Sequence, residues 1–477
     1  YHIGNITANT IGSQSSNTIT LTHGGTVEDQ AWAIGIYDGS ATADSIFNNT
    51  IGGISINGSG NALNFTGICV AGFSGTGNVA LKNNTIGGST AAGSVNHLQT
   101  GLYRCYGIDI TNSSAQITSN TIRNFNFGSS KTVSPAFAGI YVSAGTGIFQ
   151  VAKNQVHSIT GIAAAAGVSL HGLLLDITDD NNTVEKNFIH SIEPGNDASV
   201  SGITANMGRA IYRNNVVRLG INKLGSAITA PHIIYGIAQY AAANNNSFFH
   251  NTVYIGGTGA TSNTNSYAFY GNSNGNTRNY SNNNLVNERT NGAGTGTHYA
   301  IALAGISGLT SNYNNFYSAS TSRFTGLLAA ADQTTFNSWQ LASGNDNMSV
   351  NGNPLFGNAT GAAGLVNLAI TAGSICNNEA LPGLATDDYN NSSRDNSLPV
   401  GTPDIGAYEL ARGTVAGTWI GVIDTDWNKA GNWDNNTIPT ASTNVFIVKG
   451  HKTTGGIDDM PVIPTGVANC RNLNLLM

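Results

Sequence analysis

The chain has 477 residues, of which 60 are glycine and only 9% are charged, with a net charge of -6 and 4 cysteines. It has no basic run, which speaks against nucleic acid, and no stretch of about 18 apolar residues, which speaks against a membrane-spanning helix. Composition rich in Asn, Ser, Thr and Gly can mean disorder, but the apolar residues here fall on a period, which excludes that reading.

The period is set by a short motif: an apolar residue, two positions, an asparagine, one position, another apolar residue. It occurs as Ile6-Asn9-Ile11, Ile46-Asn49-Ile51, Leu81-Asn84-Ile86, Ile117-Asn120-Ile122, Val151-Asn154-Val156, Val184-Asn187-Ile189, Tyr212-Asn215-Val217 and Phe248-Asn251-Val253. Weaker copies are read at Asn284-Val286 and Asn315-Tyr317. A second piece lies upstream, as in Gly67–Val70, Gly107–Ile110, Gly139–Val142 and Gly172–Leu175. Its apolar residues alternate, which is strand periodicity. A fixed motif at a loose period predicts a solenoid whose units bury their faces against one another. An Asn at one place in every coil is expected to adopt the left-handed conformation and to bond to the Asn of the coils above and below. With strands about 4.8 Å apart, ten coils predict a rod about 48 Å long.

The strings at 139–159 and 172–192 resemble coils of the right-handed parallel β-helix of pectate-lyase-like proteins. That resemblance implies an all-β, right-handed parallel β-helix solenoid over 1–325, with a C-terminal cap at 326–411 and a small trailing β module at 412–477. Asp404-Ile405-Gly406-Ala407-Tyr408-Glu409 is similar to the closing segment of many secreted bacterial β-helix proteins, so a cap over the last open coil is expected there. The segment with Trp419, Trp427 and Trp433 resembles a module of Bacteroidetes cell-surface proteins, which are typically exported by the type IX system. Both ends of the chain read as interrupted coils, so a processed or truncated piece of a longer surface protein is expected, in an extracellular or cell-surface location.

Hydrolysis of glycosides needs two carboxylates facing one sugar. Asp179-Asp180, after Glu28-Asp29, is the only acidic pair of the coils and reads more simply as a turn. The residues three beyond the ladder asparagines form another column: Arg123, His157, His190, Arg218 and Tyr254. A basic and aromatic stripe of this kind is a candidate ligand face for a polysaccharide or cell-surface glycan, against the plainer reading of a solvated outer face. Lys153 and Lys186 precede the ladder Asn in adjacent coils. Asp424, Asp426 and Asn428 alternate as calcium ligands do, without the central Gly and closing Glu of a complete loop, so no cofactor is expected, with calcium left open. Asp44-Ser45-Ile46 resembles an O-glycan acceptor site of Bacteroidetes. Cys69 and Cys105 leave a disulfide open beside four free, mostly buried thiols.

These readings favour a non-enzymatic adhesin or stalk-like structural protein. One alternative is a filament subunit, self-associating end to end by strand addition through "YHIGNIT" and "NLNLLM". Another is a polysaccharide lyase or glycoside hydrolase.

Overall fold

The computed structural model describes residues 2–4, 7–14, 18–22, 31–39, 43–58, 63–71, 78–90, 94–99, 104–111, 114–127, 134–145, 147–161, 168–177, 181–195, 198–240, 245–261, 263–318, 323–371, 373–395, 402–410, 417–421, 423–434, 436–448, 460–463 and 468–476. It is a nearly all-β parallel solenoid. One coil shows the plan. Phe137–Gly145, Phe149–Ala152 and Gln155–Gly161 follow one another in the chain, and each joins a different sheet. Each strand pairs in parallel with the corresponding strand of the coils before and after it.

The inward residues of each strand stack in columns. In the first sheet Ile46, Leu81, Ile117, Val151, Val184, Tyr212, Phe248 and Tyr280 are successive partners. In the second, Ile11, Ile51, Ile86, Ile122, Val156, Ile189, Val217, Val253, Leu285 and Phe316 do the same. Nearly all are buried in one continuous core. The third sheet closes on the second through a column of glycines. A Cβ on Gly139 would lie 2.6 Å from both Gly172 O and Val156 Cγ1, so any side chain there would push the sheets apart.

The asparagine ladder forms. Asn9 Nδ2 donates to Asn49 Oδ1 at 2.8 Å, and the same bond repeats from Asn49 to Asn84, Asn120, Asn154, Asn187, Asn215 and Asn251 at 2.9–3.0 Å. From Asn49 onward the backbone N–H of each of these also donates to the next Oδ1. Two expectations need correction. First, the left-handed residue is the one before the ladder Asn: Asn48, Asn83, Ser119, Lys153, Lys186, Asn214, His250, Asn282 and Tyr313 have φ between 53° and 63°. That residue makes the turn, which frees the next to point its amide inward. Second, the ladder continues through Asn283 and Asn314, one position earlier than read. Asn251 Nδ2 donates to Asn283 Oδ1 at 2.9 Å and Asn283 Nδ2 to Asn314 Oδ1 at 3.1 Å. Asn284 and Asn315 lie beyond it on the second sheet, where they bond to each other.

Tyr313 holds the left-handed conformation at φ 58°, in a column otherwise rich in Asn. Asn reaches this region at lower cost because its short side chain bonds locally. Tyr313→Asn is therefore expected to raise stability by about 0.5–1 kcal/mol in chemical denaturation.

The segment expected as an end cap divides in two. The hairpin of Arg323–Leu328 with Ala331–Gln333 and the helix Phe336–Ser343 cover the last coil, with Trp339 fully buried on the core. Thr335 caps that helix and Gly344 ends it in the left-handed conformation. Beyond Asp346 the chain turns back and lies along the outer face of the second sheet. Leu368, Ala407 and Tyr408 pack there on Val216, Tyr254 and Val286. Asp404–Glu409 is thus a lateral strap. Gly406 N–H donates to Asn282 O and Ala407 N–H to Thr252 Oγ1, both at 2.8 Å. Gly406 has φ 104°, and a Cβ there would lie 2.6 Å from Thr252 Oγ1.

The trailing module packs Trp419, Trp427 and Trp433 against Val445 and Ile447. Its strands Asn444–Val448 and Asn472–Leu476 pair in parallel. One edge of the "NLNLLM" strand is therefore taken within its own module, where the expectation had it joining a neighbouring molecule.

Candidate functional site

The stripe assembles in register. Arg123, His157, His190, Arg218 and Tyr254 are successive cross-strand partners on the outer face of the second sheet. The His157 and His190 rings stack at 4.8 Å with an interplanar angle of 4°. Each ring's Nδ1 lies 3.0 Å from the hydroxyl of the following serine, Ser158 or Ser191.

From His190 onward the stripe is covered by the chain itself. Phe188 and His190 have ring centroids 4.4 Å apart, and Phe188 meets Tyr389 of the strap edge-on. Arg218 is fully buried: its Nε donates to Ala359 O at 3.0 Å, its Nη1 to Ile221 O at 2.9 Å and Ser191 Oγ at 3.0 Å, and its Nη2 to Gly361 O. Tyr254 is buried against Phe356. The expectation of a free glycan face along the whole column is therefore corrected: His190, Arg218 and Tyr254 are spent on the protein's own carbonyls and rings, and only Arg123 and His157 are left half-buried. The expected self-association through "NLNLLM" is corrected to a pairing within the chain, since the described partner of that strand is Asn444–Val448. No described helix is long and apolar enough to cross a membrane.

Burial moves the titrations of this column. The His157 imidazole is pushed down to about 4, chiefly by burial and then by Arg123. His190 lies well below its usual value, through burial first and then His157 and Arg218. Both rings are thus neutral in the fold. Unfolding returns them to about 6.5, so stability is whole above that pH and is lost as pH falls from about 6.5 towards 4. His157→Gln should remove its part of this loss. The stability gap between wild type and variant, read by urea denaturation, is expected to shift in the variant's favour by about 3 kcal/mol between pH 7.5 and pH 4.

The strap is held by a buried charge network that was not read from the sequence. Arg394 Nη1 donates to Glu409 Oε2 at 2.9 Å, and its Nη2 donates to Asn214 Oδ1 at 2.8 Å and Gly406 O at 2.7 Å. Asp388 accepts from Ser392 N–H at 2.7 Å and Glu409 N–H at 3.0 Å. Asp404 accepts from Asn378 N–H at 2.7 Å and Leu410 N–H at 2.6 Å. Burial raises the Asp404 carboxyl to about 6. The only signal in the sequence is the acidic residue at each end of Asp404–Glu409. At the strap's far edge Lys186 pairs with Asp387 at 2.5 Å, so this lysine is engaged, while Lys153 is exposed.

The remaining candidates are placed as follows. Asp179-Asp180 and Glu28-Asp29 lie outside the described residues. Asp424 Oδ1 accepts from Asp426 N–H at 3.0 Å and Asn432 Nδ2 at 2.8 Å, and its Oδ2 pairs with Lys429. Asp426 Oδ1 accepts from Asn428 N–H at 2.9 Å. These carboxylates fasten turns around the tryptophan core. Among the described residues no three His, Cys, Asp or Glu side chains form a group able to hold a metal ion. Ser45 lies in a strand paired on both sides. The cysteines are free: Cys69 faces outward opposite Asp109, and Cys105 is buried in the core, so the disulfide left open does not form.

One aromatic column was also missed. Tyr235, Tyr267 and Tyr299 stack on the outer face of the third sheet, with centroids 5.4 and 5.5 Å apart. Cross-strand aromatic pairs of this kind add about 0.2–1 kcal/mol each to the sheet. No family model matches the chain, and no curated protein is significantly similar to it.

Proposed function

We propose that the protein is a non-enzymatic, stalk-like structural element of an extracellular or cell-surface assembly, a rigid spacer of the β-helix type found in secreted bacterial proteins. The observation that carries this reading is the unbroken line of amide bonds from Asn9 to Asn314, buried from Asn49 on, which ties successive coils into one cooperative body. The strap supports it. By folding back from the end of the rod to Lys186, it staples the later coils along one side. The resemblance of Asp404–Glu409 to secreted bacterial β-helix proteins supports the location, and that of the tryptophan module to Bacteroidetes cell-surface proteins supports a type IX export route.

The test is mechanical and enzymatic together. The full chain, held by handles at its two ends in optical tweezers, is expected to stay intact under load and then to yield in steps of whole coils. Gradual extension at low force would overturn the stalk reading. Release of reducing ends or of unsaturated sugars from any polysaccharide would overturn the non-enzymatic one.

A further inference from the structure

Where the turns that follow the second sheet meet the strap, three successive coils leave an open cleft of about 420 Å³. Main-chain bonds build its walls. Ile228 N–H donates to Gly220 O at 3.0 Å, Thr290 N–H to Gly257 O at 3.0 Å and Ala260 N–H to Thr290 O at 2.9 Å. Arg218 fixes the strap's share of the wall, because it holds the carbonyls of Ala359 and Gly361 on either side of Thr360. A cleft framed in this way is formed before any ligand arrives, and its volume falls within the range of small-molecule sites, about 300–1,000 Å³.

Two opposite charges line the cleft without meeting. Val286 is the cross-strand partner of Tyr254. The ladder runs two residues further, where Glu288 N–H donates to Ile255 O at 2.7 Å, so Glu288 leaves the sheet on the same face as Val286 and diagonal to Tyr254. Its side chain enters the cleft. Arg323 reaches the same cleft from the third sheet, where it is the partner of His298. Its Nε is buried with no hydrogen-bond partner, and among the described residues its guanidinium pairs with no carboxylate. Other opposite charges that share a site are paired: Lys186 with Asp387, Arg213 with Glu185 and Arg394 with Glu409 meet at 2.5–2.9 Å. Here unspent donors stand on one wall and unspent acceptors on another.

The rest of the lining narrows the ligand. Thr290 and Thr360 bring hydroxyls that donate or accept, and Ile221 and the Tyr254 ring bring an apolar patch. A ligand that meets every wall carries a carboxylate for Arg323, an ammonium for Glu288 and a short apolar group. A simple anion leaves Glu288 unmet, and a simple cation leaves Arg323 unmet.

We infer that this cleft binds a free α-amino acid with an apolar side chain, its carboxylate on the Arg323 guanidinium and its ammonium on the Glu288 carboxylate. The planar fork of an arginine takes a carboxylate through two parallel bonds, and the carboxylate of Glu288 accepts from an ammonium as it would from a lysine. Thr360 makes the strap one wall of the site, so a bound ligand also fastens the strap to the turns beneath it.

L-Leucine is the probe. It is titrated into the full chain by calorimetry at neutral pH, beside isocaproate, which lacks the ammonium, and isopentylamine, which lacks the carboxylate. Saturable binding of leucine is expected, with each truncated compound weaker by about tenfold or more, the loss of its bonds to one charged group. Glu288 and Arg323 are half-buried and lie off the core, so their variants should fold. Glu288→Gln is expected to bind leucine no better than wild type binds isocaproate, and Arg323→Gln no better than wild type binds isopentylamine. The three wild-type titrations decide the matter should a variant fail to fold. No saturable heat from leucine, equal binding of leucine and either truncated compound, or leucine binding unchanged in either variant would overturn the proposal.

Discussion

Leucine in place of Asn154 is expected to lower the stability of the solenoid by about 4 kcal/mol, the largest effect of any single change among the coils. The side chains are similar in volume, so packing changes little. Hydrogen bonding changes much. Asn154 Oδ1 accepts from Asn120 N–H and Asn120 Nδ2, both at 3.0 Å. Its Nδ2 donates to Ile117 O at 2.8 Å and Asn187 Oδ1 at 3.0 Å. Leucine strands two buried main-chain groups of the preceding coil, Asn120 N–H and Ile117 O, each costing about 1–3 kcal/mol. Gln150→Leu, on the neighbouring strand and away from the core, is expected to change stability by about 0.5 kcal/mol or less. Urea denaturation of both variants decides the matter; equal small effects would mean that the ladder is decorative. Asn154→Asp sharpens the test. It keeps the acceptor and buries a charge, so it should be strongly destabilising at neutral pH and recover partly in acid, where the protonated carboxyl can donate again.

The second large effect is at Arg394. Arg394→Met is expected to loosen the strap by about 3–5 kcal/mol, because it leaves the Glu409 carboxylate buried without its partner. The effect should be local. Hydrogen exchange is expected to rise at the amides of Gly406 and Ala407, which bond to Asn282 O and Thr252 Oγ1, while the ladder amides stay protected. The double variant Arg394→Met, Glu409→Gln should recover part of the loss, since the uncompensated charge is then gone. No recovery would assign the effect to packing alone. Uniform acceleration of exchange along the coils would show instead that strap and solenoid open as one unit.

Much of the coil was legible because its constraint is local. Asn49, Asn84 and Asn120 each stand between apolar residues at fixed offsets, and the core they imply is the one that forms. The register was misread only where the signal was degenerate. Asn282, Asn283 and Asn284 are consecutive, and nothing in the local pattern says which amide turns inward; the alignment of Tyr280 with Phe248 decides it. The left-handed position was misassigned for a related reason. Asn is common both in the ladder and before it, as at Asn48 and Asn83, so residue type did not separate the two roles. The stripe shows the limit of local reading. Its column spacing was visible, but two of the carbonyls that hold Arg218, those of Ala359 and Gly361, lie more than 140 residues further on. Whether an outward side chain meets solvent or protein is a tertiary fact, and no periodicity carries it. Arg394 and Glu409 were overlooked because a charged pair in a loop-like segment usually denotes solvent, and their burial follows from where the strap lies.

The ladder has a direction. Every amide-to-amide bond from Asn9 to Asn283 runs forward along the rod, from Nδ2 to the next Oδ1, while from Asn49 on each Nδ2 also reaches back to a main-chain carbonyl of the preceding coil. Side-chain dipoles aligned head to tail add, as peptide dipoles do along a helix, so the column has a positive pole at its C-terminal end. At that pole Asn314 Nδ2 donates at 3.1 Å to the buried carboxylate of Asp346, which Ser311, Ser349 and Trp339 also hold. A negative group therefore terminates the line where the summed field favours it most. The rod is electrically polar although it is almost free of charge along its length, and its two ends are not interchangeable: a coil grafted after Asn314 would have to bring its own anion, whereas one grafted before Asn9 need bring only another amide.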